Sequence, residues 1–335
     1  SEKLPSRARR KVKKDSIIYS TVRPNQRHFG IIKSQPEHFL VSTGFAVIDV
    51  DANVLDADFL YYLLTQAALV EALHAIAEQS TSAYPSIKPS DIEDLEIEIP
   101  DLATQKKIAD VLGSMDRRIT QNTGINNNLQ QQAATLFKAL FVDFAPFDGT
   151  MPPNWTIRTL GDATEMGAGG DKPKESSPVK THLCPYPIYS NGTNDYGLYG
   201  YTNEPKIKVE SITVSARGTI GYVCLRHIPY VPIVRLVTLI PDTKVLSAKY
   251  LYLYLRQLHI TGTGTTQQQL TVPDFRKTEI IIPDKNTMDS FTKTVTPLFE
   301  QIWANEDENT KLAEVRDALL PKLMSGELNV SDLDP

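Results

Sequence analysis

The residues of this chain best suited to recognition chemistry are arginine, asparagine, glutamine and tyrosine side chains in short polar loops. Arginine can donate two hydrogen bonds to the edge of guanine, and asparagine or glutamine can pair similarly with adenine. Lysine and arginine also bind phosphate regardless of sequence. These residue types would suit contacts to a nucleic acid, although Tyr, Asn and Gly segments are equally typical of plain surface turns.

These polar loops fall in two parts of the chain. In the N-terminal part, loops 19–30 and 78–88 supply the predicted contacts Arg23, Gln26, Arg27, His28, Ser80, Thr81, Tyr84 and Lys88. In the later part, loops 189–203, 216–227 and 261–269 supply Tyr189, Asn191, Asn194, Tyr196, Arg217, Thr219, Arg226, Thr265, Gln267, Gln268 and Gln269. Lys206 and Lys208 are predicted to bind phosphate.

Positive charge is unevenly distributed in a chain whose net charge is -5. Residues 1–40 hold ten Lys/Arg and three Asp/Glu, and residues 151–283 hold fourteen and ten. The remainder carries -16, so basic and acidic regions alternate, as expected if two regions meet phosphates. The densest basic run, from Arg7 to Lys14, favours phosphate contact, with a disordered arm as the alternative.

An internal repeat supplies the elements that would position these loops. Residues 87–101 align with 270–284, residues 55–66 with 246–257, and residues 15–20 with 210–215, in the same order at offsets of 183, 191 and 195. The segments LEIEIP and TEIIIP, each stopped by proline, predict strands. Residues 56–66 and 247–257 predict helices capped by Asp56 and Ser247. A mixed α/β domain is therefore predicted twice.

A long segment of helical periodicity follows each copy. Apolar residues recur every three or four positions from Ile108 to Leu140 and from Phe291 to Leu323. Each segment predicts a helix of about 40 residues, or about 60 Å. Such a narrow apolar stripe needs a partner, and antiparallel packing of the two copies would hold the domains at opposite ends. Two helical hairpins, broken at Gly124 and near Asn305, are the alternative.

The order of domain, long helix, domain and long helix resembles the specificity subunit of Type I restriction-modification enzymes. The resemblance is carried by the junctions IEIPDLATQKKIADVLGSMDRRI (97–119) and IIIPDKNTMDSFTKTVTPLFEQI (280–302), by MPPNWTIRTLGD (151–162) and by LLPKLMSGEL (319–328). Pro100, Gln105, Ile108, Leu112 and Asp116 match the family pattern. The second junction departs from it, with Met288 in place of the glutamine and Glu300 or Gln301 near the aspartate position.

The resemblance implies an α+β fold with two mixed α/β target-recognition domains, two long antiparallel coiled-coil-like helices and pseudo-two-fold repetition. The predicted boundaries are 1–100 and 146–283 for the domains, 101–145 for the first helix, and 284–335 for the second helix with its tail. The implied function is recognition of a bipartite double-stranded DNA target beside two methylation subunits and the restriction subunits. A structural or dimerising scaffold without sequence-specific DNA binding is the alternative.

The first domain is predicted to be truncated at its N-terminus. If residues 15–20 correspond to 210–215, a counterpart of residues 152–195, about 40 residues long, is missing from the sequence before Asp15. The implication of two intact recognition domains is weaker to that extent.

No enzyme motif is convincing in this chain. GAGG (167–170) lacks a following helix, MPPNW (151–155) only superficially resembles a methyltransferase loop, and no Walker A motif occurs. The six histidines form no metal or triad pattern. We expect a non-catalytic protein without cofactors, with S-adenosylmethionine, ATP and Mg²⁺ belonging to its partners. Two cysteines and no apolar run long enough for a membrane span predict a cytoplasmic location.

Overall fold

The computed structural model describes residues 6–36, 38–80, 84–262 and 268–333 of the 335-residue chain. The chain divides into two compact units. Unit 1 comprises Ser1–Gly124 and Asn305–Pro335, and unit 2 comprises Ile125–Ala304.

The strands of the described residues are short. They are β1 (Ala8–Lys11), β2 (Ile17–Ser20), β3 (Phe29–Ile31), β4 (Leu40–Ser42), β5 (Phe45–Ile48), β6 (Thr156–Thr159), β7 (Thr164–Ala168), β8 (Ser176–Ser177), β9 (Tyr186–Tyr189), β10 (Leu198–Thr202), β11 (Ser211–Val214), β12 (Val223–Arg226), β13 (Val231–Pro232), β14 (Val237–Pro241) and β15 (Glu279–Ile282). The helices are α1 (Ala57–Thr65), α2 (Ala67–Glu78), α3 (Pro89–Glu93), α4 (Leu102–Phe141), α5 (Leu160–Ala163), α6 (Ala248–Gln257), α7 (Val272–Phe275) and α8 (Lys285–Met324).

Unit 1 is built on a three-stranded antiparallel sheet with β2 in the centre, between β3 and β5. A separate antiparallel pair joins β1 to β4. Apolar residues of the sheet, among them Ile17, pack with Phe59 of α1 and Leu73 of α2 in one buried cluster. The core of unit 1 therefore lies between this sheet and its helices.

Unit 2 holds the larger set of sheets. In one four-stranded antiparallel sheet, β11 lies between β12 and β14, and β7 pairs with the outer side of β14. A second sheet has the order β13-β9-β10-β8, and β15 pairs with β6. Leu251 of α6 and Phe291 of α8 belong to the same buried cluster as the first sheet.

The sequence repeat corresponds to a structural repeat. The aligned segments 15–20 and 210–215 contain β2 and β11, which are the central strands of three consecutive antiparallel strands in both units. The predicted caps are confirmed: Asp56 accepts a hydrogen bond from the backbone N–H of Phe59 at 3.0 Å, and the Ser247 hydroxyl accepts one from Tyr250 at 3.2 Å.

The two long helices are continuous, and each has 40 residues. The alternative of two hairpins broken at Gly124 and Asn305 is therefore wrong. Both helices begin with the same cap: the Thr104 hydroxyl donates to Asp101 and the Thr287 hydroxyl to Asp284, each at 2.7 Å. The α+β fold with two long helices and an internal repeat is confirmed.

Within each unit the two helices run antiparallel. In unit 1, Arg316 bonds Asp116, and Arg118 bonds Glu308 at 3.0 Å. In unit 2, the Asn126 amide donates to the Ile302 carbonyl at 3.2 Å. Because positions late on α8 meet positions early on α4, the predicted direction of packing is confirmed.

The predicted first strand over LEIEIP is wrong. Residues 95–99 form no strand, and Ile97 and Ile99 are 36% and 37% exposed. Their counterparts in β15 pair with β6, which buries Ile280 completely. No described strand of unit 1 pairs with residues 95–99, so the alternating pattern there lacks the hydrogen-bonding partner that a strand needs.

The Gln105 position packs similarly in both copies despite the change to Met288. Buried Gln105 accepts a hydrogen bond from the Asp56 N–H at 2.8 Å and donates to the carbonyls of Val54 and Pro100. Met288 contacts Ser247, the counterpart of Asp56, through its sulfur at 4.0 Å. The departure from the family pattern therefore keeps the contact with the start of the same helix.

Among the described residues, no single helix has the length and apolar character to cross a bilayer, and the only candidate is the bent pair α1 and α2, by length and composition alone.

Candidate nucleic-acid interface

One loop of predicted contact residues in each unit follows the central strand of its sheet and is closed by the same hydrogen bond. In unit 1, the Ser20 N–H donates to the His28 carbonyl at 2.9 Å. In unit 2, Ser215, its repeat counterpart, donates to the Tyr222 carbonyl at 3.0 Å. The loops over 21–27 and 216–221 are therefore equivalent, although their sequences share little.

A second loop is attached to the first in the same way in both units. The Ile87 N–H donates to the Thr21 carbonyl at 2.9 Å, and the Leu270 N–H donates to the Ala216 carbonyl at 3.0 Å. Ile87 and Leu270 are the first residues of the aligned 87–101 and 270–284 segments. The fold thus brings together the polar segments that the sequence had placed far apart.

In each unit an arginine of the first loop contacts the second loop. The Arg23 guanidinium lies over the Tyr84 ring at 5.0 Å, and Arg217 donates to the Gln269 side-chain oxygen at 3.0 and 3.2 Å. Both arginines are exposed. These contacts hold cationic groups at the protein surface beside polar side chains, an arrangement that suits phosphate or base edges.

A third loop in unit 2 is joined to the loop over 216–221 through Asn191. Its amide oxygen accepts from the Ala216 N–H at 2.7 Å, and its amide nitrogen donates to the Val234 carbonyl at 2.7 Å. The loop turns at Gly197, whose φ is +83° and where an added Cβ would lie 2.6 Å from the Ser190 oxygen. Asn191 therefore organises the loops through both ends of its amide.

Arg226 lies beneath the surface, and its side chain holds this third loop in place. It is 5% exposed, stacks 3.6 Å above the Tyr189 ring, and donates to the Thr213 hydroxyl at 2.9 Å and the Tyr196 carbonyl at 2.6 Å. Tyr196 itself has a φ of +55°. The predicted contact residue Arg226 is thus placed as a support for the turn that presents Tyr196.

Two tyrosine phenols, one half-buried and one buried, lie near this arginine. Burial raises the pKa of Tyr189, with the opposing charge of Arg226 a smaller effect. Burial also raises the pKa of Tyr230 to about 12, although its hydrogen bond with Ser211 lowers it. Both phenols are therefore neutral near pH 7.

The remaining predicted residues divide by exposure. Exposed residues in the described regions are Gln26, Arg27, His28, Tyr84, Lys88, Asn194, Tyr196, Lys206, Lys208, Thr219 and Gln268. Ser80 is half-buried, and its hydroxyl accepts from the Ser86 N–H at 3.3 Å. Thr81, Thr265 and Gln267 lie outside the described residues.

The N-terminal basic run is partly a strand. Residues Ala8–Lys11 form β1, which pairs with β4, and Lys13 lies 3.4 Å from Asp49. The alternative of a disordered arm does not hold for this strand. Arg9, Lys11, Lys13 and Lys14 stay exposed.

Sequence reasoning missed two cationic residues near these loops. Arg235 is exposed beside Val234, whose carbonyl holds Asn191, and Lys172 lies 5.3 Å from the exposed Tyr199 ring. Arg235 stands between apolar residues, so no polar-loop pattern marked it. The described residues contain no cluster of His, Cys, Asp or Glu that could hold a metal ion.

Comparison with known proteins identifies the family to which these features belong. The family described as "Type I restriction modification DNA specificity domain" matches residues 5–131 and 152–314, which is most of the chain. It is a specificity family, and no catalytic family is indicated.

The individual relatives are specificity subunits. The chain is 28% identical to the Type I restriction enzyme HindI specificity subunit of Haemophilus influenzae, over 97% of this chain and 89% of that protein. It is 29% identical to the MjaIX specificity subunit of Methanocaldococcus jannaschii, over 83% and 70%. The crystal structure of a Type I system S subunit from M. genitalium has the same fold, with a TM-score of 0.62, 18% identity, and coverage of 94% and 84%.

Proposed function

We propose, from the premise that this chain belongs to the Type I restriction-modification DNA specificity family, that it recognises a bipartite double-stranded DNA target through the paired loops of both units. The duplicated loop attachment carries this proposal: Ile87 to Thr21 in unit 1, and Leu270 to Ala216 in unit 2. A scaffold has no need for the same backbone hydrogen bond beneath two exposed loops of unrelated sequence. Two DNA-recognition sites do need such a bond, to hold their loops in position.

The loops would contribute two kinds of contact. Exposed Gln26, Arg27, Asn194 and Thr219 offer donors and acceptors for base edges. Lys206, Lys208 and the cations of the basic run offer charge for phosphates, which positions a protein on the duplex without sequence preference. Thr81, Thr265 and Gln267 stay predicted contacts.

Catalysis in this proposal belongs to partners. The chain would position two methylation subunits, which use S-adenosylmethionine, and restriction subunits, which use ATP and Mg²⁺, around the bound DNA in the cytoplasm. Exposed amides on α4, such as Gln121, Asn127 and Asn128, offer hydrogen-bonding groups for docking. The chain itself would hold no cofactor.

Selection from random DNA duplexes by the chain bound to its methylation subunits tests the proposal, with fluorescence anisotropy on the selected and shuffled duplexes at fixed salt. We expect two conserved half-sites separated by an unselected spacer. Specific sites are typically about 10³-fold or more tighter than non-specific DNA. Equal affinity for selected and shuffled duplexes would support the scaffold alternative instead.

Two variants, one per unit, test the assignment of loops to half-sites. Gln26→Ala with Arg27→Ala should alter the preference in one half-site only, and Asn194→Ala with Thr219→Ala should alter the other. Lys293→Ala, an exposed change on α8, is the control and should leave both preferences intact. If either loop variant changed both half-sites, or neither, the assignment would be wrong.

A further inference from the structure

Arg217 is an exposed arginine in the loops of unit 2 that is held both at its backbone and at its guanidinium. Its backbone is held at the preceding residue, because the Ala216 N–H donates to Asn191 at 2.7 Å and the Ala216 carbonyl accepts from Leu270 at 3.0 Å. Ala216 is fully buried, and Gly218 follows with a φ of +66°. The backbone from which the Arg217 side chain extends is therefore held in a fixed position.

The far end of the same side chain is held by Gln269. Both Nε and Nη2 of Arg217 donate to the Gln269 Oε1, at 3.2 and 3.0 Å. This contact occupies one edge of the guanidinium and leaves the edge formed by Nη1 and Nη2. Among the described residues, Nη1 has no hydrogen-bond partner.

The remaining edge presents two parallel N–H groups from a planar, permanently charged group. That pair of donors matches the O6 and N7 acceptors of guanine in the major groove, which no other base offers side by side. An arginine already held in position also loses less side-chain entropy on binding than one that must be ordered by the DNA.

We propose that Arg217, positioned by Gln269, recognises a guanine in the half-site bound by unit 2. This inference rests on the proposed function, since it assigns one base within the site that the loops of unit 2 would bind. Arg217 is the contact residue and Gln269 is a positioning residue, because Gln269 acts by holding the guanidinium.

The other predicted cationic contacts of unit 2 are less suited to this role. Arg226 is buried and engaged with Thr213 and Tyr196. Lys206 and Lys208 are exposed, but an ammonium is a point charge and lacks the planar pair of donors. A phosphate could also accept from Arg217, but that contact would give affinity without preference for a base.

The test is selection from random duplexes by the full chain with its methylation subunits, followed by affinity measurements on duplexes with each base at the assigned position. The wild type should select guanine at one position of one half-site. Arg217→Gln and Arg217→Ala should reduce the preference for guanine there by roughly 5- to 150-fold, the effect of one bidentate contact. Other positions should keep their preferences.

Variants at Gln269 separate positioning from folding. Gln269→Ala should weaken the preference for guanine at that position, whereas Gln269→Glu should retain it, because a carboxylate oxygen can accept the same two hydrogen bonds. Arg158→Ala removes an exposed arginine on β6, outside the loops, and is the matched control with unchanged preference. Arg217→Gln keeps a long polar side chain at this exposed position, so it remains informative if Arg217→Ala does not fold.

The outcomes distinguish this inference from the proposed function. Two selected half-sites with guanine retained in Arg217→Gln would overturn the role of Arg217 but support DNA recognition. An even loss of affinity across all bases would make Arg217 a phosphate contact and would also overturn the inference. If the wild type selected no sequence, both proposals would fail.

Discussion

Exposure distinguishes the residues of this protein that are available to contact a ligand from those that support the loops. Arg217 and Arg226 belong to the same polar segment, but Arg217 is exposed, and Arg226 is 5% exposed beneath the turn at Tyr196. Asn191 likewise uses both the oxygen and the nitrogen of its amide in hydrogen bonds to backbone groups. A residue type suited to base recognition is therefore exposed and available for contact in one place, and in another it anchors a turn.

Replacement of Arg226 by alanine should destabilise unit 2. The change leaves the Thr213 hydroxyl and the Tyr196 carbonyl without their donor and removes the stacking on Tyr189. We expect a loss on the order of 2 kcal/mol in the free energy of unfolding. Tryptophan fluorescence during denaturant unfolding can measure it, because both tryptophans, Trp155 and Trp303, lie in unit 2.

The matched control for Arg226→Ala is Arg158→Ala on the surface of β6, which should change the free energy by less than about 0.5 kcal/mol. If the two variants unfolded at the same denaturant concentration, a supporting role for Arg226 would be wrong.

At the scale of elements, the two long helices begin with matched caps that titrate. The Thr287 hydroxyl donates to Asp284, and this bond, with smaller contributions from the Thr287 backbone and Trp155, lowers the pKa of the carboxyl below its ordinary value. In the same way, Thr104 lowers the pKa of Asp101 at the start of α4. The repeat therefore preserves a charged N-cap at both helix starts.

Acidification should remove the stabilisation contributed by Asp284. Because its pKa is lower in the folded chain, this stabilisation is complete above the ordinary aspartate pKa of 3.8 and is lost as pH falls through the folded value. Asp284→Ala should cost about 1 kcal/mol at pH 7, as expected for a lost cap. Melting temperatures of both proteins from pH 7 to pH 3 should therefore converge at the acidic end.

Asp284→Asn is the control for this prediction, since it keeps an uncharged acceptor and removes the titration. Its difference from the wild type should also shrink on acidification. A difference that stayed constant from pH 7 to pH 3 would show that the charge of Asp284 does not stabilise the helix.

At the scale of the whole molecule, charge is arranged in alternating regions along an overall acidic chain. Residues 1–40 and 151–283 are basic, whereas residues 41–150 and 284–335 are acidic. DNA binding by such a protein should depend on local positive charge rather than on the net charge of -5.

Salt should weaken DNA binding, and the size of the effect should depend on the number of phosphate contacts. The logarithm of the binding constant should fall linearly with the logarithm of salt concentration, with a slope of about -0.9 per neutralised phosphate. Lys206→Ala and Lys208→Ala should each reduce the slope by about 0.9 without changing base preference. Anisotropy titrations on the selected duplex from low to moderate salt measure this slope.

Lys293→Ala on α8 removes the same charge from an acidic segment and should leave the salt slope unchanged. Equal slopes for the wild type and both lysine variants of unit 2 would mean that neither lysine binds phosphate.

The sequence alone determined the features that repeat locally. The blocks 15–20, 55–66 and 87–101 and their later copies predicted two related domains, the caps Asp56 and Ser247, and two helices of about 40 residues. These features depend on side-chain periodicity and on residues a few positions apart. They can therefore be recognised from the amino-acid sequence alone, and the structure has each of them.

Tertiary structure alone decided which loops meet and which side chains face outward. The bonds from Ile87 to Thr21 and from Leu270 to Ala216 join segments more than 50 residues apart, so no local pattern predicts them. The LEIEI segment has strand alternation but no described partner, whereas its copy, β15, pairs with β6. Burial of Arg226 and pairing of β15 both depend on distant chain segments, and for that reason the candidate contacts could be sorted only in three dimensions.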